Sequence, residues 1–159
     1  MSSSARRELH LPDEAATARL GARIAQALRK GEAVCLSGPL GAGKSTLARA
    51  LIRALTTPDQ DAPSPTFTLV QFYEGRGLNL AHFDLYRLSS AEEAYEIGLD
   101  EALDDGAAVI EWPERLEGAL PPDRLDVTLT PESGPGGETR RARLTPHGAW
   151  IGRGLEVGS

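Results

Sequence analysis

The chain is 159 residues long, 40% hydrophobic and 25% charged, the balance of one soluble globular domain able to bury roughly 70% of its unfolded surface. A formal charge of −6 argues against broad adhesion to nucleic acid, and a single cysteine, Cys35, excludes an internal disulfide. The opening MSSSARRELHLPDEAA lacks an apolar leader core and no apolar run nears the roughly 20 residues of a membrane span, so a protein of the reducing cytoplasm is expected.

Residues 1–11 show no sustained period and are expected to be a flexible start. Over 12–30 the spacing predicts a helix. Pro12 suits its first turn, Asp13 and Glu14 its positive end, Leu20, Ile24 and Leu28 recur every four residues, and Gly31 stops it. AVCLS, at 33–37, is a short apolar run between glycines, the pattern of a strand buried on both faces, with Cys35 as an apolar filler. A second helix is expected over 44–55, with Leu47, Ala48, Leu51, Ile52 and Leu55 turned inward. Three prolines mark 56–65 as a loop, and TFTLVQFY and LNLAHFDLY around EGRG predict a hairpin. Residues 89–103 predict a helix capped by Ser89 or Ser90 and broken at Gly98. AAVIE, at 107–111, is another buried strand; RLDVTLT and TRRARLT close the domain as a strand pair joined by PESGPGGE. One domain is expected over 12–150, followed by a flexible tail over 151–159.

The strongest chemical signal is Gly38-Pro39-Leu40-Gly41-Ala42-Gly43-Lys44-Ser45, which matches G-x4-G-K-[ST] between a buried strand and an amphipathic helix. Glycines let the backbone curl until successive amides point at phosphate oxygens, and the helix that follows adds its positive end. Lys44 supplies a compact charge for the β- and γ-phosphates, and the Ser45 hydroxyl can ligate Mg²⁺. Gly38, Gly41, Ala42, Gly43, Lys44, Ser45 and Thr46 are therefore expected to bind ATP or ADP. The expected fold class is α/β, a single P-loop NTPase-type domain with a mixed central sheet flanked by helices. Pro39 removes one backbone donor from the loop.

Such a loop needs an acid at the end of a neighbouring strand to manage the metal. Asp84 ends LNLAHFD and Glu111 ends AAVIE, and both are candidate catalytic and Mg²⁺-binding residues. Glu111 is expected to hold Mg²⁺ and Asp84 to orient the attacking water, with the two roles open to exchange. Thr66, in Ser64-Pro65-Thr66-Phe67-Thr68, is either a switch hydroxyl that reaches Mg²⁺ or a turn cap. Trp112 is either core or a contact to nucleotide or partner. Arg87 is either a phosphate contact or a mate for the 92–96 acids. His82 reads as a satisfied strand histidine, Glu92, Glu93 and Glu96 as a solvated helix face, and Arg140, Arg141 and Arg143 as decoration of an exposed strand.

Taken in order, PDEAATARLGARIA, GPLGAGKST, SPTFTLVQFY, HFDLYRL, EEAYEIGLDEAL and VIEWPERL resemble the TsaE (also called YjeE) family over about residues 12–116. SPTFTLV and H-x-DLYR carry more specificity than the phosphate loop. The resemblance implies a slow ATPase of bacterial tRNA N6-threonylcarbamoyladenosine (t6A) modification. In that family the protein acts on the TsaB–TsaD complex, reaches tRNA only through it, and does not itself transfer the carbamoyl group. By the same resemblance Lys44, Ser45 and Thr46 match phosphate- and Mg²⁺-binding residues, and Thr66 the switch threonine. Asp84 matches the aspartate of DLYR, Glu111 and Trp112 the IEW pair, and Thr17 a threonine near the nucleotide base. The family usually reads GDLGAGKT; Pro39 and Ser45 depart from it, and serine keeps the hydroxyl. A small-molecule P-loop kinase and a non-catalytic nucleotide sensor are the alternative readings.

Overall fold

The computed structural model describes residues 7–39, 41–132, 139–153 and 155. The expected loose ends at 1–6 and 156–159, Leu40, Gly154 and most of the PESGPGGE loop (133–138) lie outside the described residues.

Seven strands form one mixed sheet: β1 (Arg7–Leu11), β2 (Ala33–Ser37), β3 (Val70–Tyr73), β4 (Leu80–Asp84), β5 (Ala107–Glu111), β6 (Arg124–Pro131) and β7 (Arg140–His147). Their order is β1-β7-β6-β2-β5-β4-β3. β2 runs parallel to both β5 and β6, and β4 parallel to β5; the pairs β1–β7, β6–β7 and β3–β4 are antiparallel. Four helices complete the fold: α1 (Glu14–Ala27), α2 (Lys44–Leu55), α3 (Ala91–Glu96) and α4 (Leu99–Asp105). No helix among the described residues is long and apolar enough to cross a membrane.

The central strands are apolar on both faces because helices cover both. Val34, Leu36, Leu80, Val109 and Val127 pack against α1 and α2, through Leu20, Ile24, Leu47, Leu51 and Ile52. Cys35, Ala81, Phe83 and Ile110 face the other way, onto Ala94, Leu99 and Ala102 of α3 and α4. Burial pushes the Cys35 thiol up to about 12, so it is a filler and not a nucleophile.

Local chemistry sets the helix ends. Asp13 caps α1 by accepting from the Ala16 amide at 2.8 Å. The break expected at Gly98 is present, with that residue at φ +103 between α3 and α4. Glu92 and Glu96 are exposed as expected, and Glu93 on the same helix also closes a capping box with Ser90. Its carboxyl is held below the usual range by the Ser89 hydroxyl and the amides of Ser89 and Ser90.

Both ends of the domain are more ordered than the sequence suggests. Residues 7–11 form β1 and pair with β7, Leu9 opposite Ala142 and Leu11 opposite Arg140, which covers an otherwise bare sheet edge. Near the other end Trp150 is buried, and both Arg153 Nη atoms donate to the Glu32 carboxylate at 2.7 Å. The expected first hairpin strand also starts late, at Val70. Leu69 stands at φ +71, outside the range of a strand, and turns the chain before β3 begins.

Helices α1 and α2 are in close contact at Gly21, where an added Cβ would lie 2.5 Å from the Leu47 carbonyl oxygen. Alanine normally gains about 1 kcal/mol over glycine inside a helix. Here the clash dominates, and Gly21→Ala is expected to destabilise the protein by about 1–3 kcal/mol. Urea unfolding reads this as a lower midpoint at constant slope.

Candidate functional site

The chain leaves β2 at Ser37 and enters α2 at Lys44. Between them Gly38, Gly41 and Gly43 take φ of +136, +80 and +100, the left-handed region that favours glycine. A side chain at Gly38 would collide with the Leu129 carbonyl on β6, so only glycine lets the loop hug the sheet there. The result is a tight glycine turn, closed by the Ala42 amide on the Pro39 carbonyl at 3.1 Å, that leads into the positive end of a twelve-residue helix.

Lys44 folds back over this loop. Its Nζ donates to the Gly38 carbonyl at 2.5 Å and sits 3.6 Å from the centroid of the Trp112 ring. Burial lowers its pKa, against the opposing pull of Glu111, Glu114 and Asp84. Trp112 follows β5 directly and adopts φ +60, which aims its indole back across the cleft; the Tyr86 ring lies 4.9 Å away.

The acids come from the adjacent parallel strands. Asp84 and Glu111 are register partners, and each is the last residue of its strand. Strand alternation puts them on the α1–α2 face together with Leu80 and Val109. Both are almost fully buried, at 5% and 3% exposure. Asp84 accepts from the Tyr86 amide at 3.1 Å and from the Thr66 hydroxyl at 3.4 Å; Thr66 in turn shares a 2.9 Å hydrogen bond with Ser64. Glu111 accepts from His82 Nε2 at 2.7 Å, because a carboxylate offers no proton of its own. His82 Nδ1 is buried and has no hydrogen-bond partner among the described residues.

These groups line a cleft of about 330 Å³ formed by Glu14, Gly41, Gly43, Lys44, Ser45, Thr46, Ser64, Thr66, Asp84, Glu111, Trp112 and Arg140. A larger hollow of about 530 Å³ lies beside β3 and α4, but no glycine loop or lysine opens into it. The cleft suits a phosphate and a hard cation. Amides and an ammonium face one side, and carboxylate and hydroxyl oxygens face the other. Among the described residues no cluster of three or more His, Cys, Asp or Glu makes a metal cage, so phosphate oxygens would complete any coordination.

Most of the expected site residues meet here. Gly41, Gly43, Lys44, Ser45, Thr46, Thr66, Asp84, Glu111 and Trp112 line the cleft, while Gly38 and buried Ala42 shape the loop. Thr17 does not line it. It is buried beside Gly43, close enough that a Cβ added there would lie 3.7 Å from its methyl. Arg87 stacks on the Phe67 ring at 4.8 Å.

Sequence reasoning missed three contributors: Ser64, Glu14 and Arg140. Arg141 and Arg143 are exposed as expected, but Arg140 is half-buried and donates from Nε to the Ala42 carbonyl and from Nη2 to the Gly41 carbonyl, both at 2.8 Å. Strict alternation with buried Ala142 and Leu144 was the signal that places Arg140 inward.

A glycine loop at the carboxyl end of a central parallel strand, flanked by strand-end acids, defines a P-loop NTPase-type domain. The fold is similar to that in a solved structure described as "Crystal structure of Bacillus subtilus YdiB". The TM-score is 0.75 at 24% identity, covering 95% of this chain and 90% of that one. The sequence profile described as "Threonylcarbamoyl adenosine biosynthesis protein TsaE" matches residues 11–142, and the chain belongs to the TsaE family. Relatives named tRNA threonylcarbamoyladenosine biosynthesis protein TsaE occur in several bacteria. The Rickettsia felis protein is 40% identical, with 76% of this chain and 71% of that one covered. The Treponema pallidum protein is 40% identical, over 71% of this chain and 83% of its own. The Aquifex aeolicus protein is 42% identical, over 69% and 78%.

Because burial lowers the Lys44 pKa, the free protein loses that charge at a pH below the ordinary 10.5. ADP affinity is expected to be level near neutrality and to fall by about tenfold per pH unit above the lowered value. In Lys44→Arg, where the guanidinium keeps its charge, this fall is absent; calorimetric titration across the range checks both. The sign for stability is opposite. The unfolded chain keeps the Lys44 proton longer than the folded one, so this group's contribution to stability rises with pH through that window.

Proposed function

We propose that this protein is a cytoplasmic, Mg²⁺-dependent ATPase that binds ATP, hydrolyses it slowly, and supports t6A modification of tRNA by acting on a TsaB–TsaD complex. The observation that carries the reading is the convergence of Asp84, Glu111 and Thr66 on the Lys44–Ser45 corner of a glycine loop. Family membership supplies the pathway, and the relatives' names supply the modification.

ATP lies with its phosphates on the amides of residues 43–46 and its γ-phosphate toward Lys44. The Lys44 ammonium moves from the Gly38 carbonyl and the Trp112 ring onto phosphate oxygens, a stronger charge-assisted contact. When bound, magnesium would neutralise phosphate charge; Ser45, Thr66 and Asp84 are the residues that would hold it. Asp84 is chosen over Glu111 for this role because it already shares a hydrogen bond with the Thr66 hydroxyl. Glu111, fixed by His82, orients the attacking water and draws on its proton. The hydrogen bonds thus favour the exchange of the two roles first expected from the strand patterns. Trp112 closes the cleft beside Lys44 and limits the entry of further water.

Glu111→Gln is expected to keep ATP and Mg²⁺ binding within about threefold while hydrolysis falls by about 10²-fold or more. Asp84→Asn should instead lose the Mg²⁺ dependence of binding. The opposite pattern would restore the first assignment of the two acids. Hydrolysis should be slow in the isolated protein and rise on addition of TsaB–TsaD and tRNA. Rapid turnover without partners would overturn the role as a regulated partner, and transfer of labelled γ-phosphate to a small acceptor instead of water would favour a kinase.

A further inference from the structure

The half-buried Arg140 has no role in the mechanism above, although it lies on the cleft wall and touches the phosphate loop twice. It starts β7 opposite Pro131 of β6; Arg143 is the residue level with Ser37 at the end of β2, so Arg140 lies three residues further out, beside the phosphate loop. Its own backbone is pinned on the other side by Leu11 of β1, and Nη1 also donates to the Thr139 carbonyl at 3.0 Å. Thr139 in turn donates to the Pro12 carbonyl at 3.2 Å, tying this corner to the start of α1. Arg140 is therefore anchored to the sheet, and the loop is anchored to Arg140.

We infer that Arg140 is a positioning residue that clamps the outer carbonyls of Gly41 and Ala42 so that the loop's amides stay aimed at phosphate. The inference rests on the nucleotide-binding reading and assigns this arginine a part in it. Each peptide is planar and trans, so holding the Ala42 carbonyl outward holds the Gly43 amide inward, while holding the Gly41 carbonyl braces the turn that the Ala42 amide closes onto the Pro39 carbonyl at 3.1 Å. A rigid planar fork can bridge two carbonyls at once, which an ammonium cannot. Bonding the Ala42 carbonyl also polarises its peptide and strengthens the Gly43 amide as a donor. Gly41 and Gly43 both stand in the left-handed region, and glycine is the residue with the most conformational freedom to lose. Without an external clamp, each nucleotide would have to order this stretch on binding.

The test compares wild type with Arg140→Ala and Arg140→Lys, titrating ADP against Trp112 fluorescence and following ATP hydrolysis. Trp112 is one of two tryptophans, and the other, Trp150, is buried in the core. In Arg140→Ala the ADP Kd and the KM for ATP are expected to rise about tenfold, with kcat at saturating ATP changed less than about threefold. Arg140→Lys should recover no more than a small part of the loss. Both variants should unfold within about 2–4 °C of wild type, the shift that a change of roughly 1 kcal/mol produces in a domain of this length. Full recovery by lysine would overturn the clamp in favour of simple charge, and a fall in kcat at constant KM would overturn it in favour of transition-state contact. Unchanged ADP affinity in Arg140→Ala, with wild type binding normally, would overturn the clamp alone. Failure of wild type to bind ADP would overturn the nucleotide reading and the clamp together.

Discussion

The cleft depends on one constraint, the parallel register of β2, β5 and β4. Leu36 pairs with Glu111 and Glu111 with Asp84, so the phosphate loop and both acids leave the sheet at the same level. Strands about 4.8 Å apart then hold the carboxylates as neighbours without any direct bond between them. A slip of one residue in β4 or β5 would send its acid to the α3–α4 side and replace it with Phe83 or Ile110. Such a slip would bury the carboxylate in an apolar layer away from its hydrogen-bond donors, and that cost excludes it.

Within that frame the site gathers charges that an apolar core would reject singly. Asp84 and Glu111 are buried side by side, and each is satisfied by different donors: the Tyr86 amide and Thr66 hydroxyl for one, His82 for the other. Lys44, buried between the loop and Trp112, supplies the opposite charge. Such a cluster contributes little to folding compared with the apolar layers around it, since desolvation offsets much of the attraction. Its value lies in preorganisation, because the oxygens are in place before any phosphate arrives and only the Lys44 ammonium has to turn from its resting contacts.

The backbone carries part of that preorganisation. Leu69 and Trp112 both hold positive φ, which costs on the order of 1–3 kcal/mol for a non-glycine residue. Each is held by neighbours. Leu69 bonds through its amide to Pro65 and through its carbonyl to the Asp84 amide, and the Trp112 amide bonds to Leu36. The first turns the Thr66 segment over Asp84, and the second throws the indole over Lys44. Further from the cleft, Trp150 and Arg153 lie beyond the region matched by the family profile, and the Arg153–Glu32 pair fastens their segment beside the start of β2.

Local patterns were enough to read the phosphate loop, the helix behind it, the two acid-tipped strands and the α/β class, because each is a matter of spacing along a continuous stretch. AVCLS, AAVIE and GPLGAGKS are short enough for steric and periodic rules to decide. Long-range contacts decided the rest. Leu9 and Leu11 alternate as a strand should, but two apolar residues mean nothing until the edge of β7 stands beside them. His82 gained its role from Glu111, 29 residues away, and Arg140 from carbonyls 98 and 99 residues before it. A residue's type and neighbours along the chain determine its local conformation. Which distant backbone group it will meet depends on strand order and register, and those exist only once the sheet has closed around its core.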